Sequence, residues 1–104
     1  MRKAKSLTHG VAPVHPGALL REDVLPGVGL KKSDVAKALG ISRAQLYAIL
    51  AEKAPVTAAM ALRLGRFFGN GPELWLNMQS NYDLEILGRR MERELAHIPS
   101  AKAA

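Results

Sequence analysis

The stretch Lys31–Lys53, KKSDVAKALGISRAQLYAILAEK, constrains this chain more than any other part of it. It reads as two short helices joined by a tight turn at Gly40-Ile41-Ser42, the second apolar on one side only. Ser33 is placed to cap the first helix, DVAKALG, with Asp34 favourably set against the helix dipole. Val35, Ala36 and Leu39 form its buried stripe. Gly40 supplies the positive φ that stops it, Ile41 fills the corner, and Ser42 caps the next helix. At about 100° per residue, Leu46, Ile49 and Leu50 then fall together, while Ala44, Tyr47, Ala48 and Ala51 fall opposite. Gln45 flanks that open face. Arg43 leans toward the buried side by angle, yet from the first turn its long side chain can point forward along the axis. A recognition helix uses this geometry, because its N-terminal residues reach base edges in the major groove.

The rest of the sequence agrees with a helical scaffold around this pair. At 104 residues there is room for one core. Hydrophobic residues make up 48% and aromatic residues 5%, so that core is built mainly from Leu, Ala, Val and Met. Alternating β-branched runs are lacking, and the chain is read as all-α. The net charge of +6 favours a polyanionic partner. With no cysteine, disulfides, thiolate metal sites and thiol nucleophiles are excluded. No apolar run approaches the roughly 20 residues of a membrane span, and no signal peptide is recognisable, which places the expected protein in the cytoplasm with no membrane partner.

Residues 1–13, with Arg2, Lys3 and Lys5, read as a flexible basic arm, either inert or touching phosphates. Pro16 suits the first turn of a helix in which Leu20 and Val24 face inward, and Pro26-Gly27-Val28-Gly29 is expected to end it in a loop. His15 is read as a surface turn residue. Thr57 caps a fourth helix with Ala61, Leu64 and Phe68 inward and Arg63 and Arg66 toward solvent. Pro72-Glu73 starts a fifth, whose stripe Trp75, Met78, Tyr82 and Ile86 is read as core, and helix can continue to about His97. Residues 14–98 thus form the domain and 99–104 a frayed tail. From Pro72 to Gly88 the charges are Glu73, Asp83 and Glu85, with no Lys or Arg.

The ordered set HPG at 15–17, ALG before the third helix, TAAMALRLGRFFG from Thr57 and PELWLNMQSNYDLE from Pro72 resembles the HigA family of antitoxins. That family lies within the lambda-repressor-like, or XRE, helix-turn-helix class, and the likeness covers His15 to Glu85. The resemblance implies a five-helix lambda-repressor-like domain, here with a short C-terminal helical extension. It also implies a dimer that binds and represses its own palindromic operator, and neutralisation of a HigB-like mRNA endonuclease toxin. The acidic Pro72–Gly88 segment is a physically sensible docking surface for that basic partner.

Two departures from the family bear on DNA reading. Ala51-Glu52-Lys53 stands where relatives usually have Asn-Gly-Lys, so only the lysine phosphate contact carries over and the turn must be made without glycine. Ala44, Ala48 and Ala51 replace polar residues, and an alanine can touch a thymine methyl but cannot read a hydrogen-bond pattern. Base reading then falls to Arg43 and Gln45, with Tyr47 a phosphate or sugar contact. Ser42, Lys53, Lys32 and Ser33 complete the expected DNA-binding set. Useful specificity needs two recognition helices about 34 Å apart, and Leu84, Leu87, Met91 and Leu95 form the expected dimer interface. A repressor without a toxin, or an interaction module that no longer reads DNA, are the competing readings. No catalytic constellation can be assembled, and neither a cofactor nor a metal is expected.

Overall fold

The computed structural model describes residues 13–102. All of the expected arm except Pro13, and the last two residues of the tail, lie outside the described residues. Within them the protein is all-α. Helix α1 is one run made of Pro16–Leu19, a π-helical Leu20–Val24 and Leu25–Val28. It is followed by α2 (Lys32–Leu39), α3 (Arg43–Leu50), α4 (Ala58–Phe68), α5 (Pro72–Arg90) and the short α6 (Glu92–Ala96). This is the expected five-helix domain with a short helical extension.

The start of α1 corrects the reading of His15. That residue is 4% exposed and is the N-cap, its Nδ1 accepting the Gly17 N–H at 2.9 Å. Its ring meets Tyr82 of α5 edge-on, with centroids 5.0 Å apart. The imidazole therefore takes the place of the usual Ser or Asp cap while also filling a gap between two helices. Pro26 was expected to end α1 but lies inside it. A proline ring crowds the carbonyl four residues back and brings no donor. Here the preceding π turn bonds the Leu25 N–H to Leu20, so Pro26 enters the first turn of a new α segment, where no donor is required. The run ends at Gly29, φ 69°.

Helix α2 also begins before its expected cap. Lys31 is the N-cap, its carbonyl accepting both the Asp34 and Val35 N–H at 3.0 Å, and Ser33 sits inside the first turn without a capping bond. A backbone acceptor two residues upstream has displaced the side-chain one. The caps at Ser42 and Thr57 are as read, and Gly40 ends α2 at φ 75°.

The core gathers one face from each of the first five helices: Leu20 and Leu25, Val35, Ala36 and Leu39, Leu46, Ile49 and Leu50, Ala61 and Leu64, and Trp75. Helices α4 and α5 make the broadest contact, and α1 packs against both α3 and α5. Two polar groups in this interior are fully bonded. Trp75 Nε1 donates to Asn70 Oδ1 at 2.9 Å. The buried Gln79 accepts the Val56 N–H at 2.7 Å and donates to Asp83 at 2.9 Å, tying the α3–α4 connection to α5. Of the expected α5 stripe, Trp75 is buried and Met78, Tyr82 and Ile86 are half-buried. Helix continues to Ala96 with one break at Met91, φ −98° and ψ 10°. Beyond the core, Leu84, Leu87, Met91 and Leu95 are exposed, and Ile98 extends their line.

A candidate nucleic-acid interface

The third helix owes its direction to its first turn. Ser42 Oγ accepts the Gln45 N–H at 3.0 Å, and Gln45 Oε1 accepts the Ser42 N–H at 2.9 Å. This capping box satisfies two donors that would otherwise be unpaired. It also occupies half of the Gln45 amide. Bidentate pairing with adenine needs both the oxygen and the NH2, so with the box closed Gln45 offers a donor alone. Arg43, Ala44, Gln45 and Tyr47 are exposed, and Ala48 is half-buried. Leu46, Ile49 and Leu50 are buried, as the helical wheel places them.

Both helices of the pair are held at their C-terminal ends by arginines from outside it. Arg63 of α4 donates through Nη1 to the Leu39 carbonyl at 2.7 Å, closing α2. Arg21 of α1 donates through Nη1 to the Leu50 carbonyl at 2.6 Å, closing α3. Terminal carbonyls lack partners within their own helix, so each guanidinium supplies a donor where one is missing. Arg63 and Arg66 are both exposed, as the sequence reading expects, and Arg63 makes its bond to Leu39 from that exposed position. Neither arginine contact carries a local signal, since the partners lie 24 and 29 residues away.

Gly17 fixes how closely α1 approaches α3. A Cβ at this position would stand 1.9 Å from the Ile49 carbonyl oxygen, so only glycine lets the two backbones meet. The three residues of HPG therefore act together: His15 caps, Pro16 begins the helix, and Gly17 seats it against the recognition helix.

After α3 the Lys53 N–H bonds the Ala48 carbonyl and the Glu52 N–H bonds the Ile49 carbonyl, both at 2.9 Å. This is the closing pattern of a helix whose next residue is left-handed. Glu52 occupies that position at φ 61°, alone among the described non-glycine residues in having a positive φ. The turn without glycine is made at the cost of backbone strain, about 1–2 kcal/mol for such a residue. Its carboxylate lies 3.2 Å from Arg21 Nη1. Lys53, the next residue, is exposed, as are Lys31, Lys32 and Ser33 around the start of α2. Of the acidic residues in α5, Asp83 is bonded to Gln79, Glu85 pairs with Arg89 at 2.9 Å, and Glu73 is exposed.

Two capped helices joined at a left-handed glycine, with the second open at its first turn, define a helix-turn-helix DNA-binding domain of the lambda-repressor-like class. The Helix-turn-helix family model matches residues 21–76. The chain is 45% identical to Virulence-associated protein I of Dichelobacter nodosus over 73 residues, 70% of this chain and 68% of that one. It is 33% identical to antitoxin HigA-1 of Vibrio cholerae over 94 residues, 90% of this chain and 84% of that protein. The Pseudomonas aeruginosa antitoxin HigA, solved with the higBA promoter, superposes with a TM-score of 0.79 at 31% identity, over 86% of this chain and 97% of that one. The chain belongs to the HigA family of helix-turn-helix proteins. That family comprises DNA-binding regulators and antitoxins. Among the described residues no helix is long and apolar enough to cross a membrane.

Proposed function

We propose that this chain is the antitoxin of a type II toxin–antitoxin module. It binds its own operator as a dimer, represses transcription and neutralises a HigB-like mRNA endonuclease. The observation that carries the reading is the first turn of α3: Arg43, Ala44, Gln45 and Tyr47 stand open on a helix anchored from behind by buried Leu46, Ile49 and Leu50. With Ser42, Ala48 and Lys53, and with Lys32 and Ser33 at the start of α2, they form the DNA-contacting set. Arg43 reads a guanine edge, Ala44 and Ala48 meet thymine methyls, and Lys53 meets a phosphate. Residues 14–98 are the binding domain. The basic arm at 1–13 and the tail at 99–104 lie outside it.

The apolar line Leu84, Leu87, Met91 and Leu95 is the dimer surface, which sets two recognition helices about one DNA turn apart. The acidic segment Pro72–Gly88, with Glu73 exposed, faces the basic toxin. The test is co-expression of the tagged chain with any small basic protein encoded beside it. Co-elution of the two, with suppression of mRNA cleavage by the neighbour, is the expected result. A neighbour that does not bind, alongside intact operator binding, leaves a repressor without a toxin.

A further inference from the structure

We infer that Arg21, which lies on α1 and away from the reading face, is a positioning residue for operator binding. It holds the end of the recognition helix and masks the negative charge of Glu52, so that Lys53 can meet a phosphate. The inference rests on the DNA-binding reading above.

The Leu50 carbonyl ends α3, and Leu50 is only 5% exposed, so water is a poor substitute for a missing donor there. Arg21 supplies that donor from a residue 29 positions earlier. The same Nη1 reaches the Glu52 carboxylate at 3.2 Å, while Nε is held by Glu22 at 3.0 Å. The guanidinium is thus fixed by three acceptors on two elements, a geometry suited to its planar fork and not to a lysine. Glu52 is the peculiar partner. It stands at φ 61°, where glycine would be free of strain, and brings a carboxylate next to the lysine assigned to the DNA backbone. An unmasked carboxylate there repels the phosphate that Lys53 attracts, over a distance at which salt screens only partly. Arg21 offsets that charge and holds the turn with the same group.

The experiment is a double-mutant cycle read by operator titration at several salt concentrations, using the full chain, with thermal melting of each variant as a control on folding. Arg21→Met is expected to weaken operator binding by roughly tenfold. Glu52→Gly alone is expected to bind at least as well as the parent protein. Combined, Arg21→Met with Glu52→Gly should recover several-fold of the loss, because the charge that Arg21 masks is gone. Arg21→Lys, which keeps the charge without the fork, should fall between the parent and Arg21→Met. Glu52→Gln, which removes the charge but keeps a strained residue at φ 61°, should give the same recovery when combined with Arg21→Met; a merely structural arginine would give none there, since the strain and the unbonded Leu50 carbonyl both remain. Binding of Arg21→Met within twofold of the parent overturns the inference, as does a double variant no better than Arg21→Met. A parent protein that fails to bind the operator refutes instead the reading on which it rests.

Discussion

On the proposed reading, Arg43 carries most of the hydrogen-bonding capacity left on the open face of α3, because the Gln45 amide oxygen is already engaged by the Ser42 N–H and the neighbouring positions are alanines. Replacing Arg43 by Ala should cost about 1–3 kcal/mol on the operator and relax the preference at one base pair, measurable by mobility shift at fixed salt. His15 sets a different dependence. Burial holds its pKa below 6.5, against the opposing pull of Glu52, Asp83 and the Ala54 backbone, and its Nδ1 must be unprotonated to accept the Gly17 N–H. A depressed folded pKa means that stability is fully present above about pH 6.5 and is lost as pH falls through the folded value. Urea unfolding followed from pH 7.5 downward should show this loss, and His15→Asn, which can still cap, should flatten it. Arg43 is legible as an open first-turn residue, whereas the capping role of His15 is not. A histidine before a proline looks like a turn, and its burial involves residues distant in sequence, Tyr82 of α5 among them.

At the level of elements, what the sequence made plain was local. Gly40, Ser42 and Thr57 each act within one turn of themselves, and the helix ends they mark stand where they were read. What the sequence leaves unmarked has a common origin in groups that supply a bond from elsewhere along the chain. The Lys31 carbonyl pre-empted Ser33, and a π turn absorbed Pro26. Arg21 and Arg63, which close the two helices of the motif, act across 29 and 24 residues and leave no trace in periodicity. The open face of α3 was legible because its buried side is apolar, whereas the limit placed on Gln45 by its own capping box was not. The packing of α1 on α3 makes Gly17 the most demanding of these contacts. Gly17→Ala places a methyl against the Ile49 carbonyl and forces the helices apart, at a cost of about 1–3 kcal/mol. Chemical denaturation should show the loss, and operator affinity should fall with it as α3 shifts.

The described residues span 55 × 30 × 22 Å, with α5 and α6 running past the core and the apolar line from Leu84 to Leu95 exposed. A second copy laid along this line would cover it and supply the second recognition helix. Leu87→Glu should therefore yield monomer in sedimentation at micromolar concentration while leaving the thermal transition of the domain in place, because Leu87 is outside the core. On the proposed reading, this helix-turn-helix recognises a particular DNA sequence through few polar groups and holds it largely by charge. The most direct test of that reading is an anisotropy titration of the full chain against a duplex from upstream of its own operon and against a scrambled duplex of equal length, repeated from about 50 to 200 mM salt. Preference for the upstream duplex by about a thousandfold, with both affinities falling steeply as salt rises, is the expected result. Equal affinity for the two duplexes at every salt concentration would contradict it.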